Sequence, residues 1–168
     1  MAKTYQNSTQ HANTVAVPPT MNDPSDHHGR MRIMYFSHDQ DGVGDAQSYV
    51  RLGKLPAGKV RLFMGLSRAY VNWTTGSATI NLGWEAYQDL TGTTVASDED
   101  GLINGIVVDT VGYFGLEGAS GSTGAPLKAT GGTKSFESNS GVVIIASAWD
   151  YALADGDDIA GYMVYTID

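Results

Sequence analysis

The chain has 168 residues, a formal net charge of −8 and no cysteine. This length fits one domain with a buried core, and the lack of cysteine excludes disulfides, thiolate zinc sites and a cysteine nucleophile. The acidic balance argues against general nucleic-acid binding, because neutralising phosphates requires clustered lysine and arginine. No stretch approaches the ~20 apolar residues of a membrane span, so neither a nucleic acid nor a membrane is expected as a partner.

The charges are distributed unevenly along the chain. Residues 1–29 carry a net charge of −1, residues 30–68 carry +4 and residues 69–168 carry −11. Five of the ten basic residues lie between positions 49 and 71, namely Arg51, Lys54, Lys59, Arg61 and Arg68. Two interpretations stay open: net charge that keeps the protein soluble, or two ends of one fold that meet different partners.

Residues 1–29 predict an extended N-terminal arm. The segment is rich in Asn, Ser, Thr, Gln, Asp and His, and its main apolar patch is the short run Val15-Ala16-Val17 before Pro18-Pro19. Such a segment buries too little surface to offset the entropy of ordering it alone. Against a partner, the valines and prolines are suited to docking as an extended strand.

Residues 30–168 predict one all-β domain. Strand-like runs are expected at about 31–36, 46–52, 58–66, 68–73, 77–82, 106–108, 112–116, 134–138, 142–149 and 159–167. They recur about every 8 to 12 residues, the spacing of an antiparallel β-sandwich or jelly roll. The fold class is therefore an antiparallel β-sandwich/jelly roll preceded by an extended arm.

Three local expectations accompany that fold class. The segment 49–71 has alternating apolar runs around Leu55-Pro56-Ala57-Gly58, which predicts two strands joined as a hairpin. A second hairpin is expected around Gly131-Gly132. Ser97-Asp98-Glu99-Asp100 has the residue types of a helix N-cap and first turn, so a short helix through Ile103 is one interpretation of that segment.

The ionisable residues give weak support for metal binding. All four histidines, His11, His27, His28 and His38, precede residue 39, whereas a jelly-roll metal site draws ligands from early and late strands. Asp39, Asp41 and Asp45 imitate a calcium loop, but Val43 and the lack of a final Glu depart from the EF-hand pattern. These acids, like those of 155–158, are expected in turns, and no metal or cofactor is predicted.

Catalytic motifs are also missing from the sequence. There is no Gly-x-Ser-x-Gly elbow and no phosphate-binding Gly-Lys-Ser/Thr loop, and chance carboxylate pairs are expected among 18 acids. The tryptophans Trp73, Trp84 and Trp149 lie in or beside predicted strands, which favours core positions over sugar stacking. We expect the protein not to be an enzyme.

Two parts of the domain resemble a known family. The strand-turn-strand Leu52-Gly53-Lys54-Leu55-Pro56-Ala57-Gly58-Lys59-Val60 resembles that of small head proteins of tailed bacteriophages. The closing run from Gly141 to Ser147, followed by 152–157 and 159–165, looks like their common ending. The resemblance implies a capsid decoration, or cement, protein: a jelly roll on the outside of the shell, often trimeric, that clamps neighbouring capsomers.

From this resemblance we expect the major capsid protein as partner, a homo-oligomer such as a trimer, and a location on the outer capsid surface of a virion. No functional residue transfers by position, so the contacts are assigned from the residues themselves. The candidate capsid contacts are Val15, Val17, Pro18, Pro19, Arg30, Arg32, Lys54 and Lys59. A tail-fibre or receptor-binding module, a sugar-binding jelly roll and a trimeric nucleotide hydrolase remain as alternatives.

Overall fold

The computed structural model describes residue 12 and residues 15–21, 30–44, 49–73, 78–108, 110–116, 132–148 and 151–167. Within these ranges the domain is built from β-strands. The strands are β1 (Arg32–Asp39), β2 (Tyr49–Leu55), β3 (Gly58–Asn72), β4 (Thr79–Trp84), β5 (Tyr87–Gln88), β6 (Thr94–Val95), β7 (Asp98–Val107), β8 (Gly112–Gly115), β9 (Thr133–Ser138), β10 (Val142–Ser147) and β11 (Asp158–Ile167).

The strands form two antiparallel sheets in jelly-roll order. The first sheet runs β1-β11-β3, and both β8 and β9 pair with β3, at Arg68–Val71 and Gly58–Phe63 respectively. The second sheet runs β2-β10-β4-β7, and β5 and β6 form a small separate ribbon. The chain thus crosses repeatedly between the sheets, as in a double Greek key, and the expected all-β jelly roll is confirmed.

The expected hairpin between positions 49 and 71 is wrong. β2 pairs with β10 in the second sheet, whereas β3 pairs with β11 in the first. The turn at Pro56-Ala57 therefore carries the chain from one sheet to the other. Sequence alternation identifies both strands, but it does not determine which partner supplies their hydrogen bonds.

The two strands expected at 58–66 and 68–73 form one strand, β3, with a bulge. Phe63 pairs with Val164 and Arg68 pairs with Tyr162, so residues 64–67 of β3 face only Met163 of β11. The buried Ser67 hydroxyl donates to Phe63 O (2.7 Å) and accepts from Val164 N (3.0 Å). This hydroxyl replaces ladder hydrogen bonds that the extra residues interrupt.

The short helix considered at 97–103 is also wrong, because these residues belong largely to β7. Leu82 of β4 pairs with Ile103, and Trp84 pairs with Asp98. Leu102 and Ile103 are both buried. Gly101 disfavours a helix by roughly 1 kcal/mol, and pairing with β4 satisfies the backbone instead.

The hydrophobic core lies between the two sheets. Trp84 and Phe136 meet edge to face with ring centroids 5.4 Å apart, and Tyr87 packs against Phe136 at 6.0 Å. The largest fully buried side chains come from both sheets: Phe136, Leu55, Leu62, Met64, Ile80, Leu82, Leu102, Ile103, Leu116, Ile144, Ile145 and Ile159. Among the tryptophans predicted as core, Trp73 and Trp84 are buried, and Trp149 lies outside the described residues.

Candidate interaction surfaces

The outer face of the first sheet carries a row of tyrosines. Tyr35 of β1 pairs with Tyr162 of β11, and Tyr70 of β3 pairs with Tyr113 of β8. Side chains alternate between the faces of a sheet, so these rings point away from the core, as the neighbouring buried Phe36 and Ala69 point into it. We call this surface the tyrosine face; its members are Ile33, Tyr35, Phe63, Arg68, Tyr70, Tyr113, Tyr162 and Val164.

The tyrosines of this face contact one another in two pairs. The rings of Tyr35 and Tyr162 lie edge to face at 6.3 Å, and those of Tyr70 and Tyr113 lie tilted at 5.2 Å. Arg68, which is exposed, stands beside Tyr162 in the cross-strand register. Paired rings lose little side-chain freedom on binding, which suits them to a preorganised interface.

Apolar groups extend the tyrosine face along the strands. Ile33 (51% exposed) and Phe63 flank Val164, which is only 6% exposed. Tyr35 and Tyr113 are 74% and 78% exposed, and Leu66 of the β3 bulge is 51% exposed. Because exposed apolar side chains that lie close together are typical of interaction sites, the tyrosine face is a candidate contact surface.

A shallow groove crosses the tyrosine face. Its volume is about 310 Å³, and its lining includes Ser37, Asp39, Tyr70, Asp158 and Ala160. Ser37 and Ala160 are cross-strand neighbours, and their small side chains leave the depression between larger groups. The groove thus combines one aromatic wall with two carboxylates.

The two ends of the tyrosine face carry opposite charge. At one end Arg61 is in register with Thr166, and Lys59 forms an ion pair of 2.9 Å with Glu137. At the other end Asp39 and Asp158 are direct cross-strand partners. The uneven charge seen along the sequence therefore becomes a separation in space.

The predicted arm residues are solvent-exposed where the structure describes them. Val15 is 55% exposed and Val17 is 97% exposed, and Pro18 and Pro19 are exposed as well. Ala16 N donates to Ala12 O at 3.0 Å, as in a helical turn. The apolar side chains of this segment are thus available to a partner.

The predicted basic contacts lie at the same end of the jelly roll as Arg61. Arg30 and Arg32 are exposed at the start of β1, and Arg32 pairs with Tyr165 near the end of β11. Lys54 is exposed near the end of β2, just before the turn into β3. Lys59, the fourth predicted basic contact, is the residue held in the ion pair with Glu137.

The outer side of the second sheet carries polar groups that bond within the domain. Arg51 of β2 forms an ion pair with Glu85, and this contact raises the pKa of Arg51. The Asn81 side chain accepts a hydrogen bond from Gly105 N at 2.7 Å, and Asn104 donates to Asp100 at 2.6 Å. These polar groups are satisfied without a partner.

The start of β7 holds two neighbouring carboxyl groups. Burial, together with a hydrogen bond to Asp100, raises the pKa of Asp98, and Lys134 acts in the opposite direction. The Lys134 ammonium lies over the Trp84 ring, 4.5 Å from its centroid. Lys134 is therefore part of the core's rim and not of the tyrosine face.

The acidic loops considered for calcium form hydrogen-bonded turns. Asp155 Oδ1 accepts from Gly42 N at 2.8 Å, and Asp157 Oδ2 accepts from Ala154 N at 2.8 Å. His38 Nε2 lies 3.2 Å from Gln40 Oε1. Within the described ranges, no group of three or more His, Cys, Asp or Glu side chains is arranged to hold a metal ion. The remaining acid and histidines considered for metal binding lie outside those ranges: Asp45, His11, His27 and His28.

A bilayer-spanning helix is likewise not found among the residues whose structure is described.

Sequence reasoning missed the tyrosine face. The signal for it was the run Met31-Arg32-Ile33-Met34-Tyr35-Phe36, which places large apolar groups on both faces of one strand. A sandwich strand with one solvated face normally alternates apolar and polar residues. A strand that is apolar on both faces at a sheet edge thus indicates a second, external contact.

Comparison with known proteins gives distant structural likenesses. No family model and no curated protein sequence matches the chain. A chain of the cyanophage Pam1 capsid asymmetric unit is similar at 13% identity, over 91% of this chain and 96% of that chain, with a TM-score of 0.49. A chain from the infectious bursal disease virus Gt strain is 12% identical over 82% of this chain and 33% of that chain, with a TM-score of 0.37. A chain of the infectious bursal disease virus VP2 subviral particle is 10% identical over 82% and 41%, with a TM-score of 0.28. At these identities and TM-scores the likenesses assign no function to this chain.

Proposed function

We propose that this chain is a capsid decoration protein of a tailed bacteriophage, which binds the outer surface of the head and bridges major capsid protein subunits. The observation that carries the proposal is the gathering of exposed basic residues at one end of the jelly roll. Arg30, Arg32 and Lys54 lie there, close to where β1 begins. The preceding arm adds the exposed apolar residues Val15 and Val17.

This arrangement suits a clamp. The basic end is complementary to an acidic shell. The described part of the arm offers the exposed side chains of Val15 and Val17 for apolar contact. The family resemblance of 52–60 and of 141–147 supports a phage head as that shell. Each copy contributes a modest interface, and many copies together resist outward pressure on the shell. The proposed role is mechanical and requires no catalysis.

Electron microscopy of heads from the virus that encodes the chain tests this function. Purified protein added to heads that lack it should produce regular density over the shell. Density confined to the tail would contradict decoration and favour a tail-fibre role. The full-length chain is used throughout, so that the arm and the domain are tested together.

Substitutions in the full chain then test the contact residues. Val15→Ser with Val17→Ser removes apolar contacts from the arm, and Lys54→Glu reverses a charge at the basic end; both should lower occupancy on heads. Asp41→Lys, at the opposite end, is the matched charge control and should bind as the original chain does. The Lys54 effect should shrink with salt, since the Debye length falls from ~10 Å at 0.1 M to ~3 Å at 1 M.

A second candidate function, sugar binding by a virion module, is favoured by the groove on the tyrosine face. Tyr70 supplies a ring for stacking, and Asp39 and Asp158 supply acceptors for hydroxyl groups. A glycan array checks it: saturable binding that Tyr70→Ala abolishes would support this candidate, and no binding to any glycan would remove it.

A further inference from the structure

The sequence contains one Asn-Gly pair, Asn104-Gly105, which lies in β7. Asparagine followed by glycine is the dipeptide most prone to spontaneous deamidation, because glycine has no Cβ to hinder the approach of its backbone nitrogen to the asparagine side chain. The second sheet runs β2-β10-β4-β7, so the pair lies in an edge strand. The proposed capsid contacts do not include it.

Asn104 and Gly105 form a β-bulge opposite Asn81 of β4. The two residues that flank Asn81 in β4 pair with Ile103 and Ile106, so two residues of β7 oppose one residue of β4. Gly105 has a φ of 73°, a left-handed conformation that glycine adopts without steric cost. The bulge interrupts the regular strand pairing, and a side chain takes the hydrogen bond of the Gly105 N–H.

Two hydrogen bonds hold the groups of this pair that would react with each other. Gly105 N donates to Asn81 Oδ1 at 2.7 Å, and Asn104 Nδ2 donates to Asp100 Oδ2 at 2.6 Å. Asn81 is buried, with 4% of its surface exposed, so its side chain has little room to turn away. The first bond occupies the backbone nitrogen that would attack, and the second anchors the side-chain amide that would leave.

Deamidation of this pair needs only water. The Gly105 nitrogen loses its proton and attacks Asn104 Cγ, which forms a C–N bond and closes a succinimide ring. The side-chain nitrogen of Asn104 takes up a proton and leaves as ammonia. Water then adds to one or the other ring carbonyl and opens the ring, which leaves an aspartate or an isoaspartate at position 104. No electrons are gained or lost, so no oxidant or reductant is required.

The bulge opposes the first step of this reaction. Loss of the Gly105 proton would leave a negatively charged nitrogen against the lone pairs of Asn81 Oδ1, which is unfavourable. Ring closure also requires the Asn104 side chain to turn towards Gly105 N, and its bond to Asp100 holds it elsewhere. Both restraints end when β7 separates from β4, and edge strands are among the elements that open locally.

We propose that Asn104 is a deamidation site of this chain, which Asn81 and Asp100 keep unreactive in the folded domain and which reacts when the edge strand β7 separates from β4. The site lies on the second sheet and acts through the chain's own backbone. It is therefore independent of the proposed capsid binding.

The product weakens the strand that carries it. A carboxylate at position 104 has no proton to donate to Asp100, and Asp98 and Glu99 add negative charge at the start of the same strand. Lys134 of β9 is a positive group that acts on Asp98. An isoaspartate adds a methylene to the backbone, which shifts the pairing of β7 beyond the bulge. The reaction thus makes a separation of β7 irreversible.

Peptide mapping of the full-length protein by mass spectrometry, after incubation in mildly alkaline buffer, tests the site. Deamidation at Asn104 should be at least about tenfold slower in the folded chain than in the chain unfolded in urea. Asn81→Ala should accelerate it by about tenfold in the folded chain, because losing one hydrogen bond shifts the opening equilibrium by roughly that factor. Equal rates in the folded and unfolded chains would refute the proposal.

A matched control separates the two side chains from general stability. Ser67→Ala weakens the first sheet without touching β7, and thermal unfolding verifies that each variant is folded at the incubation temperature. Its deamidation rate should equal that of the original chain. If Ser67→Ala accelerates the reaction as much as Asn81→Ala does, overall folding protects the site and the role of Asn81 is refuted.

The exposed contact gives a second test that does not depend on a buried substitution. Asp100→Ala should raise the rate by about threefold, whereas Asp100→Asn keeps an oxygen that accepts from Asn104 Nδ2 and should react as the original chain does. Equal rates for these two variants would refute the role of Asp100.

The variant Asn104→Asp reproduces one product and tests its effect on the strand. It should lower Tm at pH 7, because like charges then face each other at positions 100 and 104. The difference should vanish below about pH 3.9, where both carboxyl groups are protonated. Thermal unfolding at the two pH values measures it, and an unchanged Tm at pH 7 would refute the weakening of β7.

Discussion

The outer faces of the two sheets differ in the side chains they carry: bonded polar groups on the second sheet and exposed tyrosines on the first. On the second sheet Arg51 is paired with Glu85, and Asn81 with the backbone of Gly105. On the first sheet, Tyr35 and Tyr113 leave about three quarters of their surface exposed, at 74% and 78%. Both sheets contribute apolar inner faces, so the difference does not arise from the core. It teaches that the named polar groups of the second sheet find partners within the domain, whereas the rings of Tyr35 and Tyr113 on the first sheet stay largely exposed to solvent.

The largest expected effect is on stability, and it compares a buried side chain of the core with an exposed side chain of the tyrosine face. Phe136→Ala removes a ring that is 1% exposed and packs against Trp84 and Tyr87. It should lower the free energy of unfolding by about 3–5 kcal/mol. Tyr113→Ala should change it by less than about 0.5 kcal/mol, because this ring is mostly exposed. Urea denaturation measures both, and equal losses would show that the tyrosine face supports folding.

The next effect concerns the bulge that shapes the tyrosine face. Ser67→Ala deletes the hydroxyl that bonds Phe63 O and Val164 N. The buried Val164 N–H then lacks its partner, which should cost about 1–3 kcal/mol. Ser135→Ala is the matched control, because it removes only an exposed hydroxyl that accepts a hydrogen bond from Arg61 Nε at 3.3 Å. A lower urea midpoint for Ser67→Ala with an unchanged m-value is expected; equal midpoints would mean that the bulge needs no hydroxyl.

The smallest effects are pH-dependent and lie on the second sheet and the β5–β6 ribbon. Burial raises the pKa of Asp98 in the folded state. The folded protein therefore loses stability as the pH rises from the unfolded-state pKa through the folded-state pKa, because the buried carboxyl must ionise. Asp98→Asn should therefore raise Tm at pH 7, and the difference should vanish below the unfolded-state pKa of about 3.9.

Asp89 supplies the opposite sign as a comparison. Hydrogen bonds from Thr91 and from the backbone N–H of Thr93 lower the pKa of Asp89. Its contribution is present above the unfolded-state pKa and is lost as the pH falls. Asp89→Asn should therefore lower Tm at pH 7 and converge with the original chain in acid. Differential scanning calorimetry from about pH 2 to 7 brackets the carboxylate range and measures both variants; shifts of the same sign would contradict the assignments.

Local patterns predicted the strands well but predicted their partners poorly. The alternation at 77–82 and the continuous apolar run at 142–149 correspond to β4 and β10. The hairpin at 49–71 failed because pairing is decided by strands that lie far away in the sequence. The helix predicted at 97–103 is wrong because capping residues give only a local preference. Pairing with β4 supplies hydrogen bonds to the same backbone as a strand.

The candidate surfaces show the same division. The exposure of Arg30, Arg32 and Lys54 agrees with their polar character, but the tyrosine face was not predicted. Its members come from β1, β3, β8 and β11, which the register brings together. A tyrosine in a strand has no local signal that says whether its neighbours across the sheet are also aromatic.

The sequence by itself determined an all-β jelly roll with a polar leading segment, because strand alternation, turn residues and composition act locally along the chain. Only the tertiary structure decided where the charges and rings meet. Asp39 lies in the basic part of the sequence, yet its pairing with Asp158 places it at the acidic end of the first sheet. The physical reason is that cross-strand register joins residues far apart in the chain, and register is fixed by burying the inner faces of two sheets together.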